Sequence, residues 1–177
     1  SFEKPVGEKT DATYGSKWRV QVIKFGPGKD GRINWPKAPL VASLSLFDKS
    51  RVFINDDSQH VDPAKAQRFG KPVKALAGWL SNPAVVGDAI HADFEVLQSA
   101  EKLRSDLIDA FERGNPEFLG LSVDIGAYSK KVMVAGKEMM EPVKVLSVQT
   151  DVVYDPTNEG KFLKMVASQI QKVEQFP

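Results

Sequence analysis

The stretch Phe118-Leu119-Gly120-Leu121-Ser122-Val123-Asp124-Ile125 reads as a β-strand with two unlike faces. Leu121, Val123 and Ile125 fall on one side, and Ser122 and Asp124 on the other. Immediately before it, Ser99 to Gly114 predicts an amphipathic helix, with Ser99 as N-cap, an apolar stripe of Leu103, Leu107, Ile108 and Phe111, and Gly114 at the left-handed terminus. After it come two further predicted strands, Lys131 to Ala135 and Val143 to Val153, separated by Gly136 and Pro142. The second of these puts Gln149 and Asp151 on one face.

Toward the N-terminus, Trp18 to Ile23 alternates as a strand and ends in the turn residues Gly26-Pro27-Gly28 and Asp30-Gly31. Leu40, Leu44 and Phe47 stand at helical spacing, and Arg51 to Asn55 is a β-branched and aromatic strand that runs into the polar loop Asp56 to His60. Val73 to Leu80 and Ala89 to Leu97 read as two strands around a turn at Ser81-Asn82-Pro83. Lys161 to Val173 has the spacing of a closing helix. Several strands in succession with helices inserted predict an α+β fold, a single domain built as a mainly antiparallel barrel or sandwich. Residues 1–16 read as a loose polar leader, and 17–177 as the domain.

Composition narrows the function. The 177 residues carry 24 basic and 23 acidic side chains, a formal net charge of +1, with no long run of either sign. Charge therefore points to no nucleic acid and no anionic membrane as partner. The absence of cysteine removes disulfides, thiolate nucleophiles and zinc–thiolate sites together. No apolar stretch reaches the ~20 residues of a membrane span, and a soluble, cytoplasmic protein is expected. No cofactor is expected either. Gly26 to Gly31 leads into Arg32-Ile33-Asn34-Trp35-Pro36 rather than into the helix that a phosphate-binding loop requires.

Histidine chemistry has two residues to draw on, His60 and His91. His91 shares a strand face with Asp93 and Glu95, a pattern that marks a solvated polar face rather than a metal site. Ser122 lacks the GxSxG surroundings of an α/β-hydrolase nucleophile. A serine hydroxyl near neutral pH needs a base of matching pKa, and imidazole is the usual one. His60, just past a strand end, is the better placed. A third group should hold that base: of Gln149 and Asp151, which share a face, Asp151 carries the charge that suits the role, and Asp124, on the face of Ser122, is the competitor.

The order of these features resembles the tailed-phage prohead (head-maturation) protease family. Leu46 to Asn55 followed by His60 is similar to the segment where a short helix leads to a strand and the catalytic histidine. Gly78-Trp79-Leu80 and Ile90 to Val96 look like the next hairpin, and Gly120-Leu121-Ser122-Val123 like the nucleophile strand. Ser147 to Pro156 resembles the strand before a proline turn, and the likeness spans about residues 17 to 166. It implies a herpesvirus-protease-like barrel surrounded by helices and a serine endopeptidase with Ser122, His60 and Asp151 as its catalytic residues. It further implies phage scaffold and major capsid proteins as substrates, self-processing, action inside the assembling prohead in the host cytoplasm, and a possible homo-oligomer. Gln149 stands where the family pattern has glutamate. The alternatives are an inactive capsid-assembly or scaffold-associated protein of the same fold, and an unrelated hydrolase using Ser122 with Lys144.

Overall fold

Alternation of buried and exposed side chains along successive strands rolls the chain into a closed sheet. The computed structural model describes residues 13–29, 31–54, 75–115, 118–153 and 160–165, the last four of these by backbone alone. In chain order they form β1 (Lys17–Lys24), β2 (Gly26–Pro27), β3 (Asn34–Trp35), α1 (Lys37–Ala42), a 3-10 turn (Leu44–Leu46), β4 (Arg51–Ile54), β5 (Leu76–Val86) and β6 (Ala89–Val96). Then follow α2 (Glu101–Glu112), β7 (Gly120–Val134), β8 (Lys137–Val153) and β9 (Gly160–Met165). Seven strands close a barrel in the order β1-β6-β5-β4-β8-β7-β9. Every neighbouring pair is antiparallel except β4 with β8, which run parallel. The barrel is one domain and mainly β. The expected single-domain, mainly antiparallel barrel is present, and the described residues contain two α-helices, of 6 and 12 residues.

Those helices serve the barrel ends. α1 leads from β3 toward the start of β4, and α2 joins the end of β6 to the start of β7, so the two belong to opposite rims. Leu40 and Phe47 near one rim, and Leu103, Leu107 and Phe111 of α2 near the other, join one apolar cluster with Val20, Val22, Val52, Leu80, Phe94, Leu121 and Val123. Trp18 meets Phe111 edge-on, ring centroids 5.9 Å apart, and donates its indole N–H to the Gly15 carbonyl. Tyr14 is buried and donates its hydroxyl to Glu112 at 3.2 Å. Burial comes first and the Glu112 carboxylate second in pushing the Tyr14 phenol above its ordinary 10.0.

Termini and turns show where local chemistry decided. α2 starts after Ala100 with no side-chain cap, not at Ser99. It ends as expected at Gly114, which takes φ +70° while its N–H reaches the Phe111 carbonyl and the Asn115 N–H reaches the Ala110 carbonyl. That bonding is the Schellman arrangement. The turn expected at Ser81-Asn82-Pro83 is instead an irregularity inside β5, with Asn82 at φ +49°, and the strand reverses at Gly87-Asp88. Asp93 holds that irregularity, accepting 3.1 Å hydrogen bonds from Arg19 Nη1 and Asn82 Nδ2. The strands expected at 118–125 and 131–135 are one strand, β7. Ala135 and Gly136, both at positive φ, turn it into β8, which runs through Pro142 without a break. The closing helix expected from Lys161 is corrected as well, because residues 160–165 form β9 and complete the barrel. The rest of that segment, 166–173, lies outside the described residues.

Candidate functional site

β7 and β8 carry the candidate site because their register sets polar residues opposite one another. Leu121, Val123, Thr150 and Val152 are buried, so the alternate residues of both strands face outward. Ser122 pairs with Asp151, and Asp124 with Gln149. Four residues that the sequence singled out thus form one outward patch, two on each strand. Directly opposed side chains have Cβ atoms ~4.5–5.5 Å apart, which puts Asp151 within reach of Ser122. Parallel pairing places Phe53 of β4 beside Asp151, and its burial gives the patch an apolar flank. Sequence reading passed over Phe53; its signal was the β-branched and aromatic run from Val52 to Ile54 directly before the polar loop.

The remaining candidates separate by position. His60 and the loop that holds it lie outside the described residues, as does the proline turn at Pro156. His91 is on β6, across from Gln21 of β1, and the strand order puts β9 and β1 between it and the Ser122 strand. Burial, then Arg19 and Lys161, hold the His91 imidazolium below its ordinary 6.5 against a smaller opposite effect of Asp88. Its face-mates are engaged elsewhere: Asp93 with Arg19 and Asn82, and Glu95 with the Trp79 indole at 2.8 Å and Lys17 at 3.8 Å. Lys144 pairs with Tyr128, six residues along β7 from Ser122. At ~3.3 Å per residue that is ~20 Å, far too long for a Ser122–Lys144 dyad.

One interior group stands out. Thr150 points into the barrel, fully buried between Val52 on β4 and Val123 on β7, and its hydroxyl has no hydrogen-bond partner among the described residues.

No family model, no curated protein and no solved structure matches the chain. The functional reading therefore rests on the residues and their geometry.

Proposed function

We propose that the chain is a serine endopeptidase of the prohead-maturation type, on a barrel of herpesvirus-protease-like design, with Ser122 as nucleophile, His60 as base and Asp151 as the group that orients the base. The observation that carries this reading is the outward Ser122–Asp151 pair, a nucleophile and a carboxylate from separate strands fixed side by side by backbone pairing. β4 supplies the reach for the third member. It ends at Ile54, and β7 lies two strand spacings away, ~10 Å, while six residues of extended chain span up to ~20 Å. His60 is within chain reach of both partners.

In this reading Ser122 Oγ attacks the scissile carbonyl while the His60 imidazole takes its proton and later hands it to the leaving amine. The serine C–O bond forms as the peptide C–N bond breaks, and water then releases the acyl group by the same base. The Asp151 carboxylate favours the imidazolium. An imidazole bridging the two oxygens by hydrogen bonds of ~2.6–3.2 Å needs those oxygens farther apart than the two Cβ atoms, so Ser122 and Asp151 must lean away from each other along their strands. The substrates in this reading are phage scaffold and major capsid proteins, cut inside the assembling prohead, with self-processing.

Co-expression with a cognate scaffold and capsid protein tests the proposal. Cleavage by the parent chain, its loss in Ser122→Ala and His60→Ala, and its persistence in His91→Ala are expected. Undiminished cleavage by Ser122→Ala would overturn it, and no cleavage by the folded parent chain would favour the inactive assembly protein.

A further inference from the structure

The outward face of the β7–β8 hairpin continues past the candidate site, and two irregularities reshape it. Between Gly126 and Ala127, and again between Tyr128 and Ser129, the register shifts so that β8 carries one extra residue each time. The extra residues are Leu146 and Val143, which have no partner in the register. Both are apolar and exposed, at 48% and 52%, whereas Val145 and Pro142 beside them are buried. An extra strand residue unpairs the ladder and re-aims a side chain, a device concentrated beside binding and active sites. Two in succession turn Leu146 and Val143 to the same side as Tyr128, itself 65% exposed. Lys144, exposed between them, makes no ion pair among the described residues. At Gly126 a Cβ would collide with Ser147 Oγ, so the floor between Asp124 and Tyr128 is formed by the small Ser147 hydroxyl lying over the glycine.

We propose that Tyr128, Val143 and Leu146, with Lys144 among them, form a docking site for an extended polypeptide segment that alternates apolar and acidic residues. The size of the patch selects this occupant. Three half-exposed side chains offer a few hundred Å2 at most, well short of the ~1,200 Å2 total of a stable protein–protein interface. A strand-like segment needs no more than that. Lys144 sets the sign of the charge. The floor at Gly126 is two residues from Asp124 and four from Ser122, so the site lies ~13–20 Å from the nucleophile along the same face. In naming the occupant as part of a substrate, remote from the scissile bond, the inference rests on the protease reading; the binding itself does not.

The test uses the full chain carrying Ser122→Ala, so that hydrolysis plays no part, and fluorescence anisotropy with three labelled hexapeptides alternating leucine with glutamate, lysine or glutamine. The glutamate peptide should bind most tightly. Val143→Ser with Leu146→Ser should weaken it at least about tenfold, and Lys144→Glu should reverse the preference between the glutamate and lysine peptides. Equal affinity for the three peptides, no binding, or binding indifferent to these exposed-site changes would overturn the proposal. So would concentration-dependent dimers in sedimentation that Leu146→Ser abolishes, which would make a second copy the occupant. Catalytic failure of the parent chain would leave these readouts intact, which separates the two readings.

Discussion

Replacing Thr150 by valine should stabilise the protein, against the usual direction of core changes. The side chain is fully buried, flanked in register by Val52 and Val123, with Val148 and Val152 next along the same face of its own strand. Its hydroxyl lost water on folding and gained no hydrogen bond among the described residues. An unsatisfied buried polar group costs ~1–3 kcal/mol. Valine keeps the branched shape and opens no cavity, so most of that cost should be recovered. For a domain of this size ~1 kcal/mol corresponds to ~2–4 °C in Tm, giving an expected rise of roughly 2–10 °C. Urea unfolding at constant m would measure the change. Thr150→Ser, which keeps the hydroxyl and removes the methyl, should destabilise by ~1 kcal/mol. Loss of stability in Thr150→Val would refute the reasoning by showing that the hydroxyl has a partner.

Three further outcomes follow from particular residues. Gly114→Ala should cost ~1–2 kcal/mol, read as a lower urea midpoint, because a Cβ must adopt φ +70° there. His91 is held below its ordinary 6.5 by burial, Arg19 and Lys161, so the unfolded chain binds the proton more readily. Stability is then full above pH ~6.5 and declines as pH falls from there toward the lowered folded value, a slope that His91→Gln should flatten in pH-dependent unfolding. Asp151→Asn should lower turnover by ~100-fold or more with little change in unfolding midpoint, while Asp124→Asn, on β7 and across from Gln149, should lower it far less. An equal loss in both would assign the orienting role to the patch rather than to Asp151.

Features fixed by neighbours in sequence were legible in it. β1, the apolar stripe of α2 and its glycine terminus follow from spacing within a few residues. So does the outward placement of Ser122, Asp124, Gln149 and Asp151, since alternation alone assigns those faces. What escaped reading depends on distant partners. In β8 the buried positions Met139, Pro142, Val145 and Val148 recur every third residue, and the extra residues Val143 and Leu146 reset the two-residue period in the last two of those intervals. That spacing conceals a 17-residue strand and made Pro142 look like a break. Phe162, Met165 and Val166 sit at helical spacing, yet β1 and β7 claim residues 160–165 as a strand through pairing that no local pattern records. Pro83 suggested a turn for the same reason as Pro142, although Asn82 at positive φ and the Asp93 hydrogen bonds absorb it within β5.

The central claim is that Ser122 is an activated nucleophile, and covalent labelling tests it most directly. The parent chain would be treated with a peptidyl diphenyl phosphonate, which reacts only with a serine whose proton a neighbouring base removes, and the adduct located by peptide mass spectrometry. The account predicts a single stoichiometric adduct on Ser122, absent in His60→Ala and unchanged in His91→Ala. An adduct on another serine, or labelling of Ser122 that persists in His60→Ala, would contradict it.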